Sequence, residues 1–171
     1  MQVAAAARYF PHGTEVIFVS PFRRSLQTLQ IMLAEVHPSP PPAIWVAESL
    51  RDFYSASPCD QRILLSESLS VHPGFSLLSP GTSDKDPYAN EPKETFAQLT
   101  QRSSDFLRVI LARPENNILI VSHDQFIRAM LATGLQVLET DTPLPTSIVR
   151  FHACEVRSFV IAPMPVESPP L

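Results

Sequence analysis

Apolar residues follow two different spacings along the chain, and these spacings predict alternating strands and helices. Compact apolar runs bounded by turn residues predict strands at 15–19, 43–47, 117–121 and 155–161. Apolar positions recurring every third or fourth residue predict helices at 22–36, 96–111 and 124–132, with a short helix at 3–10. Residues 50–83 show no sustained period and are expected to form a long inserted loop. Helices lying between apolar strands predict an α/β three-layer sandwich with a mostly parallel central sheet.

Length and composition place this pattern in one globular domain. The chain has 171 residues, of which 44% are hydrophobic and 18% charged, enough to bury a core. The sequence predicts a domain over residues 1–162. Residues 163–171 form a proline-rich tail that is expected to be disordered.

Charge and hydropathy narrow the partners that this domain is expected to have. The net charge is -4 and no basic run is dense enough to follow a phosphate backbone, so nucleic acid is not expected. No segment approaches the ~20 apolar residues of a membrane span, and the first ten residues are too short for a signal-peptide core. Cys59 and Cys154 are far apart and are predicted to be free thiols in a reducing compartment, with the cytoplasm as the expected location.

The first junction that favours chemistry follows the strand at 15–19. There the chain reads Ser20-Pro21-Phe22-Arg23-Arg24, which ends a strand and opens a helix. Free amides, the helix dipole and a guanidinium together favour an anion. The arginines also fit a plain surface role, but cations at a helix N-terminus oppose the dipole, so a purely structural reason is weak.

The second junction follows the strand at 117–121. His123 stands where this apolar strand turns into a helix, at the carboxyl edge of the predicted sheet. Ligands of open α/β sheets bind at that edge, so His123 and Arg24 are expected to meet there. A lone histidine is often structural, whereas one beside an arginine can donate to a phosphoryl oxygen or exchange a proton.

Four ordered motifs together resemble the histidine-phosphatase superfamily, in its phosphoglycerate-mutase-like branch. Residues 20–28 resemble its "SPLRRxxQT" signature, and residues 122–128 resemble "SHGGFIR". Leu-Arg-Asp at 50–52, followed by Cys-Asp-Gln-Arg at 59–62, is similar to the segment "LRE…CD.R". Residues 154–158 are similar to the final-strand motif "NCEVRS".

The resemblance implies phosphoryl transfer through a phosphohistidine, with no metal or other cofactor and with a small phosphorylated substrate or phosphate as partner. It implies that Arg24 grips the phosphate, that His123 stabilises the transferred group, and that Asp52 protonates the leaving oxygen. Arg23 and Ser20 are assigned to substrate binding. Which phosphomonoester is used, and which oligomeric state the chain adopts, stay open.

The family pattern is broken at several positions. The family's nucleophile lies in an "RHG" motif on a first strand, and the residues before Ser20 are too few for that strand, so it is expected to be missing. Pro-His-Gly-Thr-Glu at 11–15 mimics the motif, but His12 precedes the strand whose far end leads to Arg24. Asp52 replaces the family's usual glutamate, and Asp124 replaces a glycine.

Three readings of the sequence follow. In the first, the chain is part of a phosphomonoesterase, and its turnover is impaired because the nucleophilic histidine is absent. Alternatively it is a non-catalytic relative that binds phosphate or a protein. In the third reading, a sheet without its central strand folds poorly and aggregates.

Overall fold

The computed structural model describes Val3, residues 7–134 and residues 150–161, and these residues form one parallel sheet with helices on both faces. The strands are β1 (Val16–Val19), β2 (Ala43–Val46), β3 (Phe75–Leu77) and β4 (Ile118–Val121). The helices are α1 (Arg23–Val36), α2 (Leu65–Ser70), α3 (Phe96–Leu111) and α4 (Asp124–Gly134). Short 3-10 turns lie at Ala7–Tyr9, Glu48–Leu50 and Pro58–Asp60.

The sheet has the order β3-β2-β1-β4, with every pairing parallel. Val16 of β1 aligns with Ala43 on one side and with Ile118 on the other. Because parallel neighbours require crossover connections, helices cover the faces of such a sheet. The predicted α/β fold with a parallel central sheet is confirmed.

Alternate residues of β1 point into two separate cores. Val16 and Phe18 pack with residues of α3 and α4, and the Phe18 ring meets the Phe106 ring edge-on at 5.7 Å. Ile17 and Val19 pack on the other face, against the apolar side of α1. All four β1 side chains are completely buried, which explains why the run has no polar position.

The predicted inserted loop contains regular structure that its sequence did not reveal. Within residues 50–83 the chain forms α2 and then β3, whose Phe75 aligns with Ile44 of β2. A strand of three residues is too short to show an alternating pattern, so the absence of a period was misleading here.

Two further predictions about the elements were wrong. Residues 155–161 form no strand: Val160 is 99% exposed and Phe159 is also exposed, while Ile161 packs against the core that contains Val16 and Phe18. The apolar period that predicts the helix at 96–111 puts Phe96 on the same side as Leu99 and Phe106, but Phe96 is 72% exposed, since it occupies the first turn of α3 beyond the edge of the core. Of the predicted helix at 3–10, the described residues include a 3-10 turn at Ala7–Tyr9.

Cys59 and Cys154 are free thiols, as predicted. No helix in the described part of the chain is long and apolar enough to cross a membrane. The proline-rich tail at 163–171 lies outside the described residues.

Candidate active site

The two predicted junctions lie side by side because β1 and β4 are adjacent and parallel. Their last residues, Val19 and Val121, are aligned, and the Ser20 amide donates to the carbonyl of Val121 at 2.9 Å. Helices α1 and α4 both begin within a few residues of this edge. The carboxyl end of the sheet therefore brings Arg24 and His123 into direct contact.

Arg24 uses all three guanidinium nitrogens within this site. Its Nε donates to Nδ1 of His123 at 3.3 Å, and its Nη2 donates to Oδ2 of Asp52 at 3.0 Å. Its Nη1 donates to the carbonyl of Cys59 at 3.0 Å. The side chain is nevertheless 47% exposed, so its outer face is open to a ligand.

His123 is buried beneath Arg24, with one ring nitrogen facing inward and one facing the site. Nε2 lies 2.8 Å from the hydroxyl of Ser20 and 3.4 Å from that of Ser25. Nδ1 accepts from Arg24, so the ring proton of this neutral histidine is on Nε2. Burial, and then the positive charge of Arg24, lowers the pKa of His123 to about 3. The imidazole is therefore neutral near pH 7.

Asp52 is the third member of the site. Its Oδ2 lies 3.5 Å from Nδ1 of His123, and its Oδ1 accepts from the amide of Phe53 at 2.9 Å. Burial raises the pKa of this carboxyl, and the opposing effects of the Phe53 amide and Arg24 do not cancel it. A carboxyl with a raised pKa beside an anion site is suited to carry a proton to that site.

The two residues assigned to substrate binding lie in different environments. Ser20 is completely buried, on the inner side of the His123 ring. Arg23 is exposed at the first position of α1, and the contacts that assemble Arg24, His123 and Asp52 do not involve it.

A set of buried arginines beneath the site was not recognised from the sequence. Arg51 is completely buried and donates to both carboxylate oxygens of Asp86, at 2.8 and 3.1 Å, and to Glu48 at 2.8 Å. Its guanidinium carbon lies 5.0 Å from the Phe22 ring centroid and 4.2 Å from that of Tyr88. This residue ties the segment that carries Asp52 to the body of the protein.

Arg102 fixes the same segment from α3. It forms a two-pronged pair with Glu94, at 3.0 and 2.8 Å, and donates to the carbonyls of Ser49 and Arg51, both at 2.8 Å. Its Nη2 also approaches the carbonyl of Asp52 at 3.3 Å. The sequence shows only an arginine between apolar positions of a predicted helix. An arginine in that setting is equally typical of an exposed helix face, so the buried role of Arg102 could not be predicted.

Asp60 and Arg62 brace the inserted region through hydrogen bonds to its backbone. The carboxylate of Asp60 accepts from the amide of Ser55 at 2.9 Å. Arg62 donates to Glu48 and to the carbonyls of four further residues, which are Ile63, Ser83, Asp84 and Lys85.

The structure also places His12, which belongs to the segment that mimics the nucleophile motif, and Asp124, which replaces a glycine of the family pattern. His12 is exposed in the turn before β1, at the amino edge of the sheet, and the four residues of β1 span roughly 13 Å. Asp124 accepts from the amide of Phe151 at 2.7 Å and lies 3.8 Å from Arg128. The Asp124 carboxylate is therefore partly compensated and does not contact Arg24.

Residues 7–134 and 150–161 contain no group of three histidine, cysteine or acidic side chains arranged to hold a metal ion.

A parallel sheet with an arginine, a histidine and a protonatable carboxyl in contact at its carboxyl edge defines an α/β protein with a candidate active site at that edge. The family model of the histidine phosphatase superfamily (branch 1) matches residues 1–146, and the chain belongs to this superfamily.

Curated relatives agree with this membership. The chain is 26% identical over 171 residues to a phosphoglycerate mutase-like protein of Arabidopsis thaliana, covering 86% of this chain and 63% of the relative. It is 31% identical over 176 residues to phosphoglycerate mutase-like protein 1 of the same plant, covering 86% of this chain and 60% of the relative. The chain thus spans about three-fifths of the length of these two relatives.

Proposed function

We propose that the site binds the phosphoryl group of a phosphomonoester and serves phosphoryl transfer through a phosphohistidine. The observation that supports this is the direct contact of Arg24 with both His123 and Asp52, at 3.3 and 3.0 Å. Membership of the histidine phosphatase superfamily supports the type of chemistry. A small phosphorylated molecule is the proposed substrate.

Arg24 is the proposed phosphate-gripping group. Guanidinium pairs with phosphate through two parallel hydrogen bonds, which are among the stronger polar contacts in proteins. In the arrangement seen, Asp52 takes one of these donors, so a phosphoryl group has to displace that carboxylate or add to the exposed face of Arg24.

Asp52 is the proposed proton donor to the leaving oxygen. A carboxyl whose pKa is raised by burial keeps a larger protonated fraction, and a nearby phosphate dianion would increase it further. His123 is proposed to stabilise the phosphoryl group by a hydrogen bond rather than by a resting charge, because its low pKa keeps it neutral.

The nucleophile is proposed to come from outside the 171 residues. His12 lies at the opposite edge of the sheet, whereas attack requires approach within ~3–3.5 Å. In the described residues β4 pairs only with β1, so a further parallel strand could add to its other side. The carboxyl end of that strand would reach the edge where His123 lies. On this proposal the 171 residues alone bind phosphate but turn over poorly.

A second candidate is a non-catalytic protein that binds phosphate or a protein partner. It is favoured by the partners that Arg24 already has within the chain, since three of its five N–H groups are engaged by His123, Cys59 and Asp52. The shorter aspartate at position 52 also supports it, because it withdraws the proton donor by one methylene.

Binding is tested with inorganic phosphate on the 171-residue chain. We expect phosphate to raise the melting temperature in a concentration-dependent way, and Arg24→Ala to abolish the rise. Arg108→Ala is the matched control, because Arg108 is also an exposed arginine paired with an aspartate, at 2.7 Å on α3. A melting temperature that phosphate leaves unchanged would reject a phosphate site.

Turnover is tested with p-nitrophenyl phosphate and by acid quenching for a labile phosphoenzyme. We expect binding without appreciable turnover from the 171 residues. Turnover with a phosphohistidine would show that these residues contain their own nucleophile and contradict that part of the proposal. If restoring an upstream Arg-His-Gly strand gives no activity, the non-catalytic candidate is supported.

The location of the protein in the cytoplasm stays a prediction from the sequence.

A further inference from the structure

Ser20 occupies a position that its predicted contact with substrate does not explain. The residue is completely buried, and its hydroxyl lies 2.8 Å from Nε2 of His123. The amide of Phe22 donates to the same oxygen at 3.4 Å, which further fixes it. Ser25 reaches Nε2 only at 3.4 Å, so Ser20 is the closer partner of this nitrogen.

The consequence is that the two nitrogens of His123 have separate environments. Nε2 is on the inner side with Ser20, and Nδ1 faces Arg24 and Asp52 at 3.3 and 3.5 Å. A ring held in this way can offer only Nδ1 to a ligand at the site.

We propose that Ser20 is a positioning residue, which holds Nε2 of His123 so that Nδ1 is the nitrogen that meets a phosphoryl oxygen. This inference rests on the proposed function, because it concerns the same site. It replaces the substrate contact predicted for Ser20 with an action through His123.

The hydrogen-bonding chemistry of serine suits this role. A hydroxyl both donates and accepts, so Ser20 can pair with Nε2 whether or not that nitrogen carries a proton. Without a ligand, Nδ1 accepts from Arg24 and the ring proton is on Nε2. To hydrogen-bond to a phosphoryl oxygen, Nδ1 has to gain a proton. The neutral ring gains it by changing tautomer: the Nε2–H bond breaks, the Nδ1–H bond forms by proton exchange with water, and the Ser20 hydroxyl changes from accepting from Nε2 to donating to it.

Nitrogen-15 NMR of the His123 ring tests the proposal on the unaltered chain. We expect the proton on Nε2 without ligand, and a proton on Nδ1 when inorganic phosphate is saturating. If phosphate binds and Nδ1 stays without a proton, the role assigned to Ser20 is wrong while the phosphate site stands. If phosphate does not bind at all, the proposed function and this inference both fail.

Serine variants give an independent measurement. Ser20→Ala should lower the fraction of the phosphate-bound ring that carries its proton on Nδ1 and weaken phosphate binding about tenfold or more, because the unprotonated, buried Nε2 loses its donor. Ser103→Ala is the matched control, since Ser103 is another completely buried serine, whose hydroxyl donates to the carbonyl of Thr100 at 2.9 Å. Wild-type tautomers and affinity in Ser20→Ala would overturn the inference. Should that variant not fold, the spectra of the unaltered chain still decide it.

Discussion

Two arginines approach the same phenylalanine ring, and their surroundings are different. The guanidinium carbon of Arg24 lies 4.6 Å from the Phe22 ring centroid, and that of Arg51 lies 5.0 Å from it. Arg24 is half exposed and pairs with one carboxylate, whereas Arg51 is completely buried and pairs with two. The comparison separates an arginine whose charge is available to a ligand from one whose charge is used within the fold.

The pKa values of the carboxylates that these arginines contact are shifted in opposite directions. The pKa of Asp86 is lowered, because two nitrogens of Arg51 and the amides of Arg62 and Tyr88 outweigh the effect of burial. The pKa of Asp52 is raised, because burial outweighs Arg24 and the Phe53 amide. Asp86 is therefore a fixed charge, and Asp52 is a group that can exchange its proton.

The largest expected effect is the loss of the buried arginine. Arg51→Met leaves the Asp86 carboxylate without its main partner in the interior, and we expect the free energy of unfolding to fall by about 3–5 kcal/mol. Urea denaturation followed by circular dichroism measures this. A loss below about 1 kcal/mol would mean that the Asp86 charge is compensated in another way.

His123 should dominate the acid side of the stability profile. Its pKa is lowered from 6.5 to about 3, so below pH 6.5 the unfolded chain binds a proton that the folded chain does not. Stability linked to His123 is thus fully present above pH 6.5 and is lost as the pH falls toward 3. Denaturation of wild type and His123→Gln across this range should show a shallower decline in the variant. Parallel profiles would contradict a buried neutral imidazole.

Arg24 should matter for the ligand more than for the fold. Arg24→Ala removes charge-assisted hydrogen bonds to phosphate worth about 1.5–3 kcal/mol, so we expect phosphate affinity to fall roughly 10- to 100-fold. Stability should change by no more than about 1 kcal/mol, because an exposed ion pair contributes little. Titration calorimetry and urea denaturation of the same samples separate the two quantities.

The two aspartates should respond to pH in opposite directions. The pKa of Asp52 is raised above its value of 3.8 in the unfolded chain, so ionisation of Asp52 lowers the free energy of unfolding as the pH rises above 3.8. The stability of Asp52→Asn relative to wild type should therefore increase over the same pH range. Ionised Asp86 stabilises the fold above 3.8, and this contribution is lost as the pH falls through its lowered pKa. Asp86→Asn should therefore be most destabilised at neutral pH. Curves that move together would remove the distinction between the two carboxylates.

The smallest effect is expected at the exposed Arg108–Asp105 pair, which has the same residue types as Arg24–Asp52 but lies outside the site. Arg108→Ala breaks a contact with Asp105 between two exposed side chains, which should cost no more than about 0.5 kcal/mol. Phosphate affinity should be unchanged. A clear loss of affinity would mean that the phosphate response reflects net charge and not the site.

The sequence predicted those parts of the molecule whose structure can be inferred from the residue pattern of one strand or helix alone. The runs at β1 and β4 are continuous because both faces of the sheet are covered, and Arg24 and His123 follow these strands directly. Their meeting therefore needed only the rule that ligands bind at the carboxyl ends of parallel strands. Site roles for these residues stay predictions.

The remaining features depend on packing between distant segments. Arg51 and Arg102 look like surface charges until Asp86 and Glu94 are brought to them from other parts of the chain. The strand predicted at 155–161 had the apolar composition, but among the described residues this segment does not pair with the sheet. Ser20 was correctly placed at the edge of the sheet, but its burial behind His123 depends on how α1 and α4 are oriented.

The one-sided pairing of β4 has a measurable consequence for backbone dynamics. In the described residues β4 bonds only to β1, and successive amides of a strand point to opposite sides, so every second amide of Ile118–Val121 is unprotected. Hydrogen–deuterium exchange should therefore alternate between slow and fast along this strand. Any segment that docks against the open side should turn the fast amides slow, and so report its own register residue by residue.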